Sequence, residues 1–571
     1  MAGSPVVIGV NRTRDASIAL ARGRDSVHSL QKERMTRREH HRGRLGDLPR
    51  HYLPRLPQLA GPVDLVVECY ASDDEIADLA AYRAELRETL GLAGDTPVVL
   101  LSHHLSHLYS AFPPSPFEEA AGLVVDVQGS RVRDFTEPVE LPGGASGDLL
   151  EVASFYRCAR AGQRVECLAK QLWDGDWTRP AGLGCFSALL TRMLWPSGDG
   201  HEGKVVDLAP FGDPDALGLP ELDVRGHEVF IPPAWLDTFA QGAAFRYVIN
   251  GASTFKRSAN LAAAGQRAFE RALDRLAAWL RERTGLADLV YAGDAALNLA
   301  ANGRLVRESG FREVFIPPGP HDGGTAIGCA LYGMIECLGA GSGFRWADDF
   351  LGPDPCPAEI DAAVRALPDD LTAERPADLV GAIVELLADG RTVGLHQGRA
   401  ESGPRPLGHR SVLADPRVPA MRDYVNVEIT GREWFRPLAA LVPAGHADQV
   451  FDLTRPSPFA QHTVAVRAGR RDALPGVTHV DGTARPRTVE PGGAPFLHDL
   501  LARWHALTGC PVLVNAALSG PGEPLTETPE HSIGTLRKTG LHALAMPPYL
   551  IRKRDEPPLP GEDWQPPACP A

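Results

Sequence analysis

The chain has 571 residues and a formal net charge of −14, with 44% hydrophobic and 23% charged residues. This is an ordinary globular composition, and the length predicts two or three domains rather than one compact core. The acidic balance argues against broad binding of nucleic acid or an anionic membrane, and no apolar run is long enough to span a bilayer.

Short apolar runs near the start of the chain predict strands. Residues 5–10 and 17–21 flank a polar turn at 11–15, which predicts two strands joined by a turn that presents side chains to a ligand. The β-branched runs at 63–68 and 96–101 predict two buried strands.

Helical patterns alternate with strands further along the chain. Apolar residues over 267–283 recur at helical spacing, Gly285 follows as a C-terminal cap, and 288–292 predicts the next strand. A glycine-bounded helix is predicted over 325–334. This alternation predicts a layered α/β domain, and no internal repeat is evident in the sequence.

A proline-rich stretch at 351–357 predicts a linker, after which a helix and the strand at 392–396 begin a second α/β unit. The nine cysteines include no C-x-x-C pair, which favours free thiols. The first residues lack a basic segment followed by a long apolar one, so we expect no secretory signal and a cytoplasmic location.

The strongest chemical signal is the sequence SHHLSH at 102–107, which follows an apolar strand and opens a predicted helix. His103 and His107 are four residues apart, so both imidazoles project from one helix face at a separation suited to a transition metal. Taken alone, such a pair is more often a hydrogen-bonded helix end than a metal site.

Two aspartates strengthen the hypothesis of a metal site. Asp126 follows an apolar run, which places its carboxylate at the end of a strand, and Asp322 lies just before a predicted helix. Two histidines and two carboxylates suit iron(II), manganese or zinc. The chain has no Walker A sequence, so nucleotide binding would need another architecture.

An ordered series of motifs along nearly the whole chain resembles the O-carbamoyltransferases of antibiotic and Nod-factor biosynthesis. The N-terminal motifs are IGVN at 8–11, DAS at 15–17, HHLSH at 103–107, EGK at 202–204, LAPFG at 208–212, ALN at 296–298, NGR at 302–304 and DGG at 322–324. The C-terminal motifs are QGR at 397–399, GPR at 403–405, ADP at 414–416, FRP at 435–437, HVDGTAR at 479–485, CPVLVN at 510–515 and GEP at 522–524.

The resemblance implies an α/β fold with two domains. Residues 1–355 would form an actin/Hsp70-like domain, similar to the tRNA threonylcarbamoyl-transfer proteins, and residues 356–571 a YrdC-like domain. The C-terminal site would use ATP, with magnesium, and carbamoyl phosphate to make a carbamoyl-adenylate. A metal in the N-terminal site would then assist transfer of the carbamoyl group to an acceptor.

The resemblance also assigns site residues. His103, His107, Asp126 and Asp322 fall on the family's metal ligands, with iron(II) the first candidate and manganese or zinc the next. Arg14 and Asp15 fall at the catalytic turn. The residues expected to bind nucleotide or adenylate are Gly293, Asn298, Asn302, Gly323, Arg405 and Arg436.

Four positions depart from the family pattern. Arg14 replaces a histidine, and a guanidinium cannot act as a base at neutral pH. Asp294 replaces the second glycine of a nucleotide-binding pair, where it would repel phosphate. Thr430 replaces a lysine and Ala517 a serine, so an ammonium group and a hydroxyl donor are both absent. Each lost charged hydrogen bond costs about 1.5–3 kcal/mol.

We therefore predict an ATP-dependent, carbamoyltransferase-like enzyme of natural-product biosynthesis that acts on a hydroxyl or amine of a small-molecule acceptor. One alternative is a divergent ATP-dependent acyltransferase or ligase that uses an activated donor other than carbamoyl phosphate. A second alternative is a catalytically silent scaffold that binds metal and nucleotide. We expect no nucleic-acid or membrane partner, and related enzymes make a homodimer reasonable.

Overall fold

The chain forms two compact units. The computed structural model describes residues 4–56, 62–71, 78–141, 146–196, 200–242, 245, 252–561 and 564. The first unit comprises Met1–Thr36 and His40–Trp346, and the second comprises Arg37–Glu39 and Ala347–Ala571. Within the described ranges, each helix is too short or too polar to cross a bilayer.

The strands of the first unit form two five-stranded sheets and a small hairpin. They are β1 (Val6–Asn11), β2 (Ser17–Arg22), β3 (Ser26–Gln31), β4 (Leu65–Cys69), β5 (Val98–Leu100), β6 (Glu119–Val125), β7 (Leu150–Ala159), β8 (Arg164–Trp173), β9 (Asp223–Arg225), β10 (Glu228–Phe230), β11 (Asp288–Ala292) and β12 (Glu313–Phe315). β1, β4 and most of β6 are buried along their length, as their continuous apolar runs predict.

The two large sheets have the same topology. The first has the order β3-β2-β1-β4-β5 and the second the order β8-β7-β6-β11-β12. In each sheet the first three strands are antiparallel and the last two are parallel to the central strand. The first unit is thus a structural duplication, which agrees with the paired-sheet architecture expected of an actin/Hsp70-like domain.

The helices of the first unit are α1 (Lys32–Thr36), α2 (Leu79–Thr89), α3 (His103–Ala111), α4 (Leu183–Leu194), α5 (Glu202–Leu208), α6 (Pro233–Ala240), α7 (Ala252–Thr284), α8 (Leu299–Glu308) and α9 (Thr325–Tyr332). Helix α9 packs closely between β1 and α3. A Cβ atom added at Gly9 would lie 1.9 Å from the carbonyl oxygen of Ala326, and one added at Gly328 would lie 1.8 Å from that of Ser106. Glycine therefore permits the two close approaches that position α3 and α9.

The second unit is built on a nine-stranded sheet with the order β13-β21-β20-β14-β15-β19-β16-β18-β17. Its strands are β13 (Leu371–Glu374), β14 (Val393–His396), β15 (Arg410–Ala414), β16 (Ala439–Pro443), β17 (Val464–Ala465), β18 (Thr483–Val489), β19 (Leu513–Ala517), β20 (Ala543–Met546) and β21 (Tyr549–Lys553). Its helices are α10 (Pro357–Arg365), α11 (Leu379–Ala388), α12 (Met421–Tyr424), α13 (Ala447–Val450), α14 (Pro495–Thr508) and α15 (Pro529–Lys538).

The predicted α/β class is confirmed, and several predicted elements are close to their observed bounds. The strand at 288–292 matches β11, and Gly285 adopts a φ of 66° directly after α7. The segment predicted as a linker, 351–357, runs into the start of α10 and lies within the second unit. Its Gly352 N–H donates to the carbonyl of Ala400, and its Leu351 carbonyl accepts from Arg399.

Candidate functional site

Three segments of the first unit bring two histidines and two aspartates together. His103 and His107 lie one turn apart on α3, Asp126 follows the last residue of β6, and Asp322 begins the short turn before α9. The sequence places these residues far apart, and the close packing of α3 against α9 joins them. All four side chains are buried.

The four side chains form a tight cluster. The Nε2 atoms of His103 and His107 lie 3.1 Å apart. His107 Nε2 lies 3.2 Å from Asp126 Oδ2 and 3.4 Å from Asp322 Oδ1. His103 Nε2 lies 3.1 Å from Asp322 Oδ1 and 3.7 Å from Asp126 Oδ2. One possible ligand atom from each residue therefore lies within 4.8 Å of all the others.

The electrostatics of this cluster suit a cation. Asp126 Oδ2 is buried and makes no hydrogen bond of acceptable geometry. Burial opposes protonation of His107, but the nearby carboxylates of Asp126 and Asp322 outweigh it and raise its pKa to about 9. Although burial acts in the other direction, the two imidazoles hold the pKa of each aspartate below its usual range. Two imidazole nitrogens beside two ionised carboxylates fit a divalent metal.

The turn between β1 and β2 lies next to this cluster. The side-chain amide of Asn11 donates to the carbonyl oxygens of Arg14, Asp15 and Asp322, at 3.0, 3.2 and 3.0 Å, and so ties the turn to the segment before α9. Asp15 is buried with a φ of 51°, and its Oδ1 accepts from His40 Nδ1 at 2.9 Å. His40 was not singled out in the sequence, where it lies inside a basic run.

Arg14 and Asp294, two of the positions predicted to depart from the family pattern, interact electrostatically. Burial opposes the charge of Arg14, but the carboxylates of Asp294 and then Asp15 raise its pKa above the usual range. Burial raises the pKa of Asp294, and the neighbouring Asp126 and Asp322 raise it further. Asp294 Oδ1 also accepts the backbone N–H of Asp322 at 3.4 Å. The guanidinium of Arg14 opposes the rise in the pKa of Asp294.

Gly293 lies where a side chain would not fit, and a side chain at Gly323 would displace two neighbouring side chains. Gly293 has a φ of 95°, and a Cβ there would lie 2.2 Å from the carbonyl oxygen of Val125. A Cβ at Gly323 would lie 2.7 Å from His321 Nε2 and 2.8 Å from Gln31 Oε1. Both glycines keep bare backbone beside the Asp126 and Asp322 segments.

The two predicted asparagines make local hydrogen bonds at the start of α8. Asn298 Oδ1 accepts from the Ala301 N–H at 3.1 Å, and its amide donates to Gln266 at 3.0 Å. Asn302 Nδ2 donates to the carbonyl of Ala296 at 2.7 Å. These bonds hold the turn that follows β11, next to Gly293.

In the second unit, three segments meet at the same end of the inner strands β15, β19 and β16 of the nine-stranded sheet. Arg405 lies in the loop before β15, Arg436 just before β16, and Ala517 ends β19, where it pairs with Ser411. Asn515 Nδ2 donates to the carbonyl of Pro406 at 2.8 Å, which anchors the loop of Arg405 to β19. The register of β15, β19 and β16 therefore brings both arginines and position 517 to the same side of this unit.

The side chain of Thr430 does not point a polar group outward in place of the lysine that the family resemblance predicts at this position. Its side chain is buried, and its hydroxyl lies 3.2 and 3.3 Å from the carbonyl oxygens of Val425 and Asn426, to which it donates. Arg436 lies nearby in sequence, with Nη1 3.8 Å from Glu433 Oε2. The hydroxyl of Thr430 is therefore bound to the end of the preceding helical turn.

Comparisons with known proteins cover most of the chain. A family model described as the carbamoyltransferase N-terminus matches residues 75–331, and one described as the carbamoyltransferase C-terminus matches 384–553. The uncharacterized protein sll1178 of Synechocystis sp. is 31% identical over 541 residues, which cover 83% of this chain and 80% of that protein. Nodulation protein NolO of Bradyrhizobium diazoefficiens is 31% identical over 477 residues, which cover 81% of this chain and 80% of that protein.

A search of solved structures finds weaker similarity. Full-length HypF in its phosphate- and nucleotide-bound form is 14% identical, with a TM-score of 0.34, and the match covers 59% of this chain and 56% of that one. Similarity at this level supports no conclusion about ligands.

Proposed function

The chain belongs to the carbamoyltransferase family, and from this premise we propose that it uses ATP and carbamoyl phosphate to carbamoylate a hydroxyl or amine of a small natural product. In the proposed route, water cleaves carbamoyl phosphate to carbamate and phosphate, the carbamate oxygen attacks the α-phosphorus of ATP to form a carbamoyl-adenylate with release of pyrophosphate, and the acceptor then displaces AMP. The observation that carries the proposal is the buried cluster of His103, His107, Asp126 and Asp322, in a chain matched by both carbamoyltransferase models.

We assign these four residues to a divalent cation, with iron(II) first and manganese or zinc next. The donor set and the unbonded Asp126 oxygen support this assignment. A bound divalent cation would polarise the carbamoyl carbonyl and offset negative charge on the leaving AMP. Burial of the four side chains keeps water away from them, which limits loss of an activated carbamoyl group by hydrolysis.

The residues of the β1–β2 turn have electrostatic roles in this proposal. Arg14 remains protonated at neutral pH, so it donates hydrogen bonds and supplies positive charge but does not remove a proton. Asp15 stays ionised because His40, against the effect of burial, lowers its pKa. Asn11 holds this turn against the Asp322 segment. Together they position the acceptor group beside the proposed metal ligands.

At the second unit we assign Arg405 and Arg436 to phosphate and adenylate oxygens. Guanidinium groups bind such oxygens in bidentate fashion and reduce the repulsion between polyanions. In the first unit Gly293, Gly323, Asn298 and Asn302 shape the backbone proposed to lie against nucleotide.

One observation favours the alternative of a different donor. The Thr430 hydroxyl is bound to main-chain carbonyls and Ala517 has no polar group, so neither position supplies the ammonium or hydroxyl expected for carbamoyl phosphate. A divergent ATP-dependent acyltransferase with another activated donor is therefore the second candidate.

Turnover assays separate these functions. We expect the purified chain to release pyrophosphate from ATP only when carbamoyl phosphate is present and to release AMP when an acceptor is added, and His107→Ala to lose metal and transfer together. AMP release that requires another carboxylic or phosphorylated donor would support the second candidate. Absence of turnover with any donor, despite stoichiometric metal, would refute both.

A further inference from the structure

One carboxylate outside the proposed metal cluster joins the segments that carry three of its ligands. Glu151 of β7 accepts the His104 N–H on α3 and the Ser130 N–H in the loop after Asp126, each at 3.0 Å and each through Oε1. Ser130 in turn accepts the His103 N–H through its hydroxyl at 2.9 Å. Glu151 is fully buried.

Main-chain hydrogen bonds strengthen the same junction. The N–H of Gly129 donates to the carbonyl of Glu151 at 2.7 Å, and the N–H of Glu151 donates to the carbonyl of Ser130 at 3.1 Å. The N–H of Asp126 donates to the carbonyl of Val152 at 3.1 Å. β7 therefore holds the whole segment from Asp126 to Ser130.

The N-terminus of α3 depends on this arrangement. Its N-cap residue, Ser102, makes no capping hydrogen bond with its own side chain. The first N–H groups of a helix lack partners within the helix, and a negative charge there interacts favourably with its dipole. Glu151 and Ser130 supply these missing acceptors from another part of the chain.

The second oxygen of Glu151 faces a buried lysine. Lys170 Nζ donates to Glu151 Oε2 and lies 2.7 Å from Glu137 Oε1. Lys170 also donates to Ser154 Oγ at 3.0 Å, and that hydroxyl is 2.7 Å from His104 Nδ1. Each oxygen of Glu151 thus receives donors on its own side, and the carboxylate is locked in one orientation.

From this geometry we propose that Glu151 is a positioning residue for the proposed metal centre. It fixes the first turn of α3 and the loop after Asp126 relative to each other, so that His103, His107 and Asp126 converge. The inference rests on the proposed metal site. Glu151 does not belong to the cluster of ligands itself.

Glutamine cannot replace Glu151 in this position. With its carbonyl oxygen turned to the two main-chain N–H groups, its amide nitrogen would face the ammonium of Lys170. In the opposite orientation, the amide nitrogen would face the N–H groups of His104 and Ser130. Either way two donors oppose each other in a buried site, which is strongly unfavourable.

The test uses the full-length chain, stripped of metal and titrated with Co²⁺, whose visible absorption reports coordination. Loss of a group that orients metal ligands typically weakens metal binding by about 10–100-fold. We expect Glu151→Gln to weaken Co²⁺ binding by at least about tenfold and to alter the Co²⁺ spectrum. Ser130→Ala, which removes the acceptor of the His103 N–H and a 3.4 Å hydrogen bond to the Tyr70 carbonyl but leaves Glu151 in place, should cause a smaller change in the same direction.

Glu166→Gln on the exposed face of β8 is the matched control and should bind Co²⁺ as the wild type does. If Glu151→Gln and Ser130→Ala lower the unfolding temperature but keep wild-type affinity and spectrum, Glu151 is merely structural and the inference is overturned. If the wild-type chain itself binds no Co²⁺, the proposed metal site fails and the inference fails with it.

Discussion

Arg14 and Asp294 show how an unusual residue is accommodated beside the proposed metal ligands. An acidic residue at 294 enters a region that already contains Asp15, Asp126 and Asp322, and burial with these like charges raises the pKa of Asp294. Arg14 supplies a permanent positive charge that opposes this rise, and Asp294 and then Asp15 are the carboxylates that raise the pKa of Arg14. We therefore expect the residues at 14 and 294 to be energetically coupled.

A double-mutant cycle tests this coupling. Arg14→His alone leaves Asp294 without its main counter-charge and should destabilise the chain, whereas Arg14→His combined with Asp294→Gly should recover most of the loss. We expect a coupling free energy of about 1–3 kcal/mol in chemical unfolding. The control is the exposed pair of Arg179 and Asp174, whose Nη2 and Oδ2 atoms lie 2.7 Å apart. Its coupling free energy should be below about 0.5 kcal/mol. Additive effects at 14 and 294 would refute the coupling.

The pair of His40 and Asp15 predicts a pH dependence of stability. Burial opposes protonation of His40, but Asp15 and then Glu33 outweigh both burial and Arg14 and raise its pKa to about 9. The pKa of an unfolded histidine is about 6.5. Since the folded chain holds this proton more tightly, the stabilisation is complete below about pH 6.5 and is lost as the pH rises through about 9.

Thermal unfolding of the wild type and of His40→Asn measures this effect. The wild type should unfold at a higher temperature at pH 6, and the difference should shrink steadily between pH 7 and pH 10. A difference that stays constant over this range would contradict an ionic interaction between His40 and Asp15.

At the scale of secondary-structure elements, the contact between α3 and α9 determines where the ligands meet. Gly328 of α9 faces the main chain of Ser106 on α3, and Asp322 lies at the start of the same α9 segment. Any separation of the two helices moves Asp322 away from His103 and His107. The small residues of α9 therefore act on the site through packing.

Gly328→Ala tests this packing. The added Cβ would lie 1.8 Å from the Ser106 carbonyl oxygen, so we expect a loss of about 1–3 kcal/mol in stability and weaker metal binding. Gly534→Ala on α15 is the control, because nothing lies within 4 Å of the added Cβ. It should be neutral or stabilise by up to about 1 kcal/mol. Equal stability of the two variants would show that α3 and α9 tolerate separation.

Local patterns were sufficient to predict some of these elements. The spacing of His103 and His107 predicted a shared helix face, and the apolar run before Asp126 predicted a strand ending at that carboxylate; both are observed. The hydrogen bonds that tie 351 and 352 to 399 and 400 could not be predicted from the local proline-rich composition.

Contacts between residues far apart in the chain could not be predicted from local sequence patterns. Glu151 lies in a largely buried strand, and its proposed role depends on the register between β6 and β7, which brings it to Ser130 and α3. The electrostatic interaction of Arg14 with Asp294 involves a turn after β1 of the first sheet and a turn after β11 of the second. Such pairs depend on tertiary packing and not on sequence spacing.

At the scale of the whole molecule, the proposed ligands follow strands of both large sheets of the first unit, and β5 and β12, which precede α3 and Asp322, hold the same position in the two sheets. α3 follows β5 of the first sheet, and Asp126 follows β6, the central strand of the second. The repeat is evident in the shared strand order and not in the sequence. The two halves of the first unit are the segments that carry its two large sheets. A metal at this position would connect them, since α3 after the first sheet contributes His103 and His107, and strands of the second sheet precede Asp126 and Asp322.

Metal binding should therefore stabilise the first unit selectively. A ligand that binds only the folded state adds about 2.7 kcal/mol at a concentration one hundred times its dissociation constant. We expect addition of Co²⁺ to the metal-stripped chain to slow amide hydrogen exchange in α3 and α9. Exchange in α14 of the second unit, which is held by its own core around Trp504, should be unchanged. Protection of α14 equal to that of α3, or protection of α3 that persists in His107→Ala, would contradict a metal held between the two halves of the first unit.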